Sequence, residues 1–305
     1  MQINFSTSIN MGILKYINAG DLCIAYEESG NADGIPVILM HGFPYDTRTY
    51  DGVVNYLQAK NCRVIVPYLR GYGPTKFLSA DTIRSGQQAA LAHDLKALMD
   101  ALLIPKAIVG GYDWGGRACC IVAALFPERV IGLVSAAGYN IQNIPGYAVP
   151  ALPEIEMLNW YQFYFHHERG RLGLTQYRYE LCKLLWRNWS PTWNFDDATF
   201  DASAVSFNNP DFVEVVVHSY RHRYGLVNGD PQFEAMEQAL QQQPAIQVPA
   251  IIVDATADGV EPFAGTGKDA HYFKGGYKRS IVKVGHNVPQ EAPAEFADAV
   301  LAFVK

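Results

Sequence analysis

Ala107-Ile108-Val109-Gly110-Gly111-Tyr112-Asp113-Trp114-Gly115-Gly116-Arg117-Ala118 carries the strongest fold signal in this chain. An apolar run leads into Gly-x-Asp-x-Gly-Gly, and a small-residue, helix-compatible segment follows from Ala118 to Phe126. A strand that turns sharply into a helix around one exposed side chain is a nucleophile elbow, here with Asp where Ser usually stands. Gly111 and Gly115 are read sterically. They let strand and helix approach closely enough to hold the elbow residue in a strained conformation.

The residue type narrows the chemistry. A serine needs a base to remove its proton, whereas a carboxylate is already ionised at neutral pH. Asp113 therefore attacks unaided, but as a weak nucleophile suited to saturated carbons bearing strain or a good leaving group. The product of attack is an ester on Asp113, and water must then hydrolyse it. That second step calls for a His as base and a carboxylate to orient the His.

Working outward, the apolar runs on either side predict a mostly parallel sheet. Ile13 to Ile17 and Leu22 to Glu27 flank Ala19-Gly20-Asp21 as a hairpin. Pro36 to Met40, Cys62 to Val66 and Val130 to Ala136 are short continuous apolar runs, as expected of buried parallel strands. Ser85 to Leu103 is predicted as a long amphipathic helix on which His93 and Asp94 are structural. Up to Gly138 the order is a hairpin followed by β-α-β-α-β-α-β.

From Tyr139 the composition turns rich in Trp, Tyr, Phe and Arg, with no strand-like run before about Pro244. Helices are predicted over Glu154 to His167, Leu174 to Trp189 and Asp211 to Tyr224, so residues 139–244 form one inserted helical lid. The core, residues 1–138 and 245–305, resumes with the strand Pro249 to Val253 and a last strand, Arg279 to Val284. A final helix over Ala292 to Val304 closes it. The fold class is α/β, a mostly parallel twisted sheet with an inserted helical lid.

The partners of Asp113 lie just past strand ends. Asp258 follows the strand at 249–253, and His286 follows the strand at 279–284. Nucleophile, acid, His is the chain order of a hydrolase triad, and loops at the carboxyl ends of parallel strands are where such sheets carry their sites. Asp254 is an alternative acid, and the position after the preceding strand offers only Asn140. His41-Gly42-Phe43-Pro44 ends the strand at 36–40, and the N–H groups of Phe43 and Trp114 are the expected oxyanion donors.

Composition removes whole classes. The net charge of −6, with no Lys/Arg run, argues against nucleic acid. No apolar stretch reaches the roughly 18 residues that span a bilayer. Residues 1–14 lack the basic region and apolar core of a secretory signal. The five cysteines make no C-x-x-C and no His/Cys cluster, so reduced thiols in a cytoplasm, without metal or cofactor, are expected. A small molecule is the expected partner, and a homodimer stays open.

Taken together these residues resemble the α/β-hydrolase superfamily, specifically its epoxide hydrolases and haloalkane dehalogenases with an Asp nucleophile. His41-Gly42-Phe43-Pro44 looks like the HGxP motif of epoxide hydrolases, and Gly111 to Gly116 resembles their elbow, including the Trp after the nucleophile. Trp160 to Phe165 is similar to their first lid segment, whose tyrosine falls on Tyr161; the second falls on Tyr220, with Tyr224 as alternative. The resemblance implies two phenols that hold and protonate an epoxide oxygen. His41, Pro44, Trp114 and Tyr164 are expected to line the substrate site. A dehalogenase, with halide on the Trp114 indole, and a non-catalytic ligand receptor are the alternatives.

Overall fold

The computed structural model describes residues 12–263, 265 and 267–304. Most of the segment 1–14 that bears on a secretory signal lies outside them.

The sheet begins with the hairpin β1 (Ile13–Ala19) and β2 (Leu22–Gly30), followed by β3 (Ile35–Met40), helix α1 (Asp51–Leu57) and β4 (Cys62–Pro67). A two-residue strand β5 (Lys76–Phe77), helix α2 (Gln88–Ala101), β6 (Ala107–Gly111), α3 (Asp113–Leu125) and β7 (Val130–Ala136) complete the first half. After the helical insertion come β8 (Ala250–Ala255), β9 (Tyr277–Val282), α11 (Val288–Glu291) and α12 (Pro293–Leu301). The strand order is β1-β2-β4-β3-β6-β7-β8-β9, with β5 beside β2. From β4 to β9 every pairing is parallel, whereas β2 runs antiparallel to β1, β4 and β5. The expected α/β architecture is therefore present. Val37, Ile38, Leu39, Ile108 and Val109 are wholly buried, because helices cover both faces of the central strands.

β3 is the turning point of the topology. The chain steps from it to β4 on one side and to β6 on the other, so the loops after β3 and β6 diverge and leave a crevice at their carboxyl ends. Into that crevice point the Gly42-Phe43 loop and Asp113.

The insertion consists of α4 (Pro153–Leu158), α5 (Trp160–His166), α6 (Glu168–Gln176), α7 (Arg178–Trp189), α8 (Asp197–Ala204), α9 (Phe212–Arg223) and α10 (Glu234–Gln241). It is more broken than the sequence suggests. The segment 154–167 divides at Asn159 and the segment 174–189 at Tyr177, where neither Pro nor Gly gives a signal; α8 and α10 have no expected counterpart. The helix expected from Ser85 starts instead at Gln88. Glu237 on α10 accepts from the Ala89 N–H and from both Gln87 and Gln88 amides, so the insertion supplies the cap that fixes the start of α2. The last strand lies two residues earlier than expected, because pairing of Ala250–Ala255 with Tyr277–Val282 sets its limits.

Candidate active site

Asp113 occupies the first position of α3 with φ +48°, a left-handed conformation that a non-glycine residue adopts only when its surroundings enforce it. The enforcement is steric. A Cβ on Gly115 would collide with the Met40 carbonyl oxygen at the end of β3, and one on Gly111 would sit 2.6 Å from the Gly115 carbonyl carbon. Only glycines let α3 press this close to β3 and β6. The carboxylate thus stands at a helix N-terminus, where the backbone dipole favours negative charge.

Its two oxygens face different partners. Oδ1 accepts from the Phe43 N–H at 2.8 Å. Oδ2 lies 3.9 Å from His286 Nε2 and 3.6 Å from Arg117 Nη2, one turn along α3. The Trp114 N–H follows in the first turn of α3, where N–H groups lack intrahelical partners.

His286 Nδ1 and Asp258 Oδ2 are 2.7 Å apart, and the other Asp258 oxygen accepts from the Val260 and Glu261 N–H groups at 2.8 and 2.9 Å. Burial disfavours charge on the His286 ring, but Asp258, Asp113 and Glu261 together outweigh it and carry its pKa up to about 9. His286 Nε2 is buried and has no hydrogen-bond partner among the described residues. The other candidate acids are engaged elsewhere. Asp254 pairs with Arg279 at 2.6 Å, and Asn140 donates to Ser135 Oγ and the Ala136 carbonyl.

Tyr161 of α5 and Tyr220 of α9 arrive at this place. The Tyr161 and Tyr220 rings meet edge to face at 5.3 Å; each packs on the Phe43 ring, and Tyr220 also adjoins Trp114. Burial pushes both phenols above their ordinary pKa. The Tyr220 hydroxyl and the Trp114 indole N–H are buried without a protein partner among the described residues. Tyr224 instead donates to Gln162 Oε1 at 3.3 Å and packs on Tyr147 and His166.

Three expected substrate-lining residues do other things. His41 is buried to 0% exposure and spends both ring nitrogens on the backbone: Nδ1 on the Gly42 carbonyl and Nε2 as acceptor from the Leu69 N–H. Burial holds its pKa down to about 4, so it is a neutral brace between two loops. The Pro44 carbonyl accepts from the Trp186 indole at 2.7 Å and ties the loop to α7. Tyr164 packs on Trp160 and Phe165, with its hydroxyl against Gly173 on α6.

Several residues carry no signal in the sequence. The Trp189 carbonyl, at the end of α7, accepts from the N–H groups of Gly259 and His286, so one residue of the insertion pins the loops that carry Asp258 and His286. Ser190 Oγ accepts from the His286 N–H and donates to Glu291, whose carboxylate also accepts from the Gly285 and Asn287 N–H groups. Arg117, Tyr139, Asn140, Gln142, Tyr147 and Glu261 line a cleft of about 560 Å³, and Arg117 is the residue of that lining paired with Asp113. Among the described residues no group of three or more His, Cys, Asp or Glu could hold a metal ion, and no helix is long and apolar enough to cross a membrane. The five cysteines are free thiols.

Residues 35–293 match the family described as alpha/beta hydrolase fold. A solved structure from Klebsiella pneumoniae subsp. pneumoniae MGH 78578, provisionally named an epoxide hydrolase, is 45% identical, covers 95% of this chain and 96% of its own, and superposes with a TM-score of 0.91. Epoxide hydrolase 3 of Siraitia grosvenorii is 34% identical over 123 residues, 40% of this chain and 37% of that protein. Lipase 1 of Psychrobacter immobilis is 34% identical over 130 residues, 42% of this chain and 39% of that protein. The match spans about two fifths of the length of these curated relatives, and they do not share one activity.

Proposed function

Since this chain belongs to the alpha/beta hydrolase fold family, its elbow residue sets the chemistry open to it, and we propose that it opens epoxides to diols through an ester on Asp113. The observation that carries this reading is a carboxylate at the elbow, held on one oxygen by the Phe43 N–H, beside two buried lid phenols packed on the same Phe43 ring. The likeness to the provisionally named Klebsiella epoxide hydrolase supports it.

In the first step Asp113 Oδ2 attacks a ring carbon, the carbon–oxygen bond breaks, and the alkoxide takes a proton from Tyr161 or Tyr220. An alkoxide needs that proton, and a phenol is a competent acid for it. Oδ1 stays on the Phe43 N–H as the carbonyl oxygen of the ester. In the second step His286 Nε2 removes a proton from water, and the water oxygen attacks the Asp113 carboxyl carbon. The Phe43 and Trp114 N–H groups hold the oxyanion until it collapses; His286 then gives its proton to the departing alkoxide to complete the diol, and the remaining water proton returns to the phenolate, restoring the phenol and the Asp113 carboxylate. Asp258 keeps the His286 ring oriented and stabilises its positive charge.

The lid is taken as residues 139–244 and the core as 1–138 and 245–305; free thiols fit a cytoplasmic enzyme acting on a small molecule. A second reading, dehalogenation, draws on the Trp114 indole N–H, a buried donor suited to a departing halide.

The test is His286→Gln mixed with a panel of epoxides and bromoalkanes. Intact-protein mass spectrometry should find one added substrate mass with an epoxide, localised to Asp113. Adducts with bromides only would favour dehalogenation. An inactive mutant with no adduct on any substrate would overturn the scheme.

A further inference from the structure

Arg223 is a buried cation that the steps above leave unused. It is 3% exposed, on the same face of α9 as Tyr220 one turn before it. Its guanidinium carbon lies 4.8 Å from the centroid of the Tyr220 ring, and Nη1 donates to Gln162 Oε1 at 2.9 Å. With the Gln142 amide oriented to present its oxygen, Nη2 and Nε donate to it at 3.0 and 2.7 Å. The guanidinium is therefore fixed behind both lid phenols.

Gln162 carries the connection to Tyr161. Guanidinium groups only donate, so the Gln162 carbonyl oxygen must face Arg223 and its NH₂ must face the other way. That NH₂ donates to Tyr161 Oη at 3.0 Å and to Asn159 Oδ1 at 2.6 Å. Tyr161 Oη thus accepts from behind, which leaves its own proton for an acceptor on the Asp113 side. Tyr220 receives the same charge directly through its ring face.

We propose that Arg223 and Gln162 form a positioning relay that makes Tyr161 and Tyr220 better proton donors in ring opening. The inference rests on the epoxide reading of the site. As a phenol gives up its proton to the departing alkoxide, negative charge grows on the phenol oxygen, and the relay opposes that charge with an amide donor and a buried cation. Burial and the Asp113 charge raise both phenols, and the Arg223 charge acts in the opposite direction. The relay has no part in ester hydrolysis, which belongs to His286.

Rapid-quench mass spectrometry with a styrene-type epoxide separates ester formation from ester hydrolysis in the full-length protein. Arg223→Met should slow ester formation by about tenfold or more, the scale of a lost charge-assisted hydrogen bond plus a desolvated cation–π contact. Hydrolysis should stay within about twofold, and Arg223→Lys, which keeps the charge without the fork, should recover part of the loss. Gln162→Glu is a near-isosteric control for folding. Its carboxylate still pairs with Arg223 but turns the Tyr161 proton inward, so ester formation should again fall, and it should fall no further in a Tyr161→Phe background. Equal slowing of both steps, or an undiminished Gln162→Glu penalty without the Tyr161 hydroxyl, would overturn the relay alone. Absence of an ester from any epoxide in the wild type would instead overturn the reading of the site.

Discussion

Replacing Asp113 by Asn should pull the pKa of His286 down from about 9, and the shift bears directly on how one residue serves the second step only. In the resting protein Nε2 faces Asp113 Oδ2 at 3.9 Å, so the ring carries a proton that a general base should not have. Ester formation removes the Asp113 charge, and Asn reproduces that neutral state without substrate. Two unit charges at this distance interact by about 1 kcal/mol in water and about 4 kcal/mol at an effective dielectric near 20. At about 1.36 kcal/mol per tenfold change in proton affinity, His286 in the Asn variant should titrate roughly between 6 and 8. Any elevation that remains belongs to Asp258 and Glu261. The assay is NMR titration of the His286 ring in wild type and Asp113→Asn, assigned by the loss of its signal in His286→Gln. A wild-type ring near 9 that stays near 9 in Asp113→Asn would refute the argument that alkylation switches the base on. The same charge enters stability. The folded pKa of His286 lies above its unfolded value near 6.5, so its contribution is full below about pH 6.5 and is lost as the pH rises through 9. Wild type should therefore lose more stability than Asp113→Asn across that window.

Converting both Tyr161 and Tyr220 to Phe should cost at least two orders of magnitude in kcat/KM on an epoxide, the scale of general acid catalysis (~10²–10⁴-fold), while any bromide turnover survives on the Trp114 indole. Equal, small losses on a matched epoxide and bromide would mean that the phenols only line the pocket. Gly115→Ala should destabilise the fold by roughly 3 kcal/mol or more in denaturant titration, because its methyl meets the Met40 carbonyl oxygen and neither α3 nor β3 can yield. A loss below about 1 kcal/mol would show that the elbow is not as tightly packed as drawn.

The core was legible because its signals are local. Ala107–Gly111 and Asp113–Leu125 announce themselves through an apolar run, two obligatory glycines and a small-residue helix, each a property of neighbours along the chain. Asp258 and His286 were legible for the same reason: strand ends can be read from composition, and a parallel sheet gathers strand ends on one edge. Tyr220 was less secure than Tyr161 because Tyr224 lies one helical turn away. Only the approach of α5 and the Tyr224 contact with Gln162 separate the two.

What the sequence could not express is who occupies whose hydrogen bonds. It gave no sign that the Gly42 carbonyl and the Leu69 N–H take both ring nitrogens of His41, or that the Tyr164 hydroxyl packs against Gly173 of α6. Ser190 and Glu291 hold the His286 loop across about a hundred residues of chain, Glu237 caps α2 from across the lid, and Arg223 reaches Tyr161 only through the Gln162 amide. Periodicity, glycine sterics and chain order are enough to place the sheet, the elbow and the positions of Asp113, Asp258 and His286 just past strand ends. The tertiary structure decided the start of α2, the aim of the tyrosines and the charge state of His286, because those depend on burial and on partners far away in the chain.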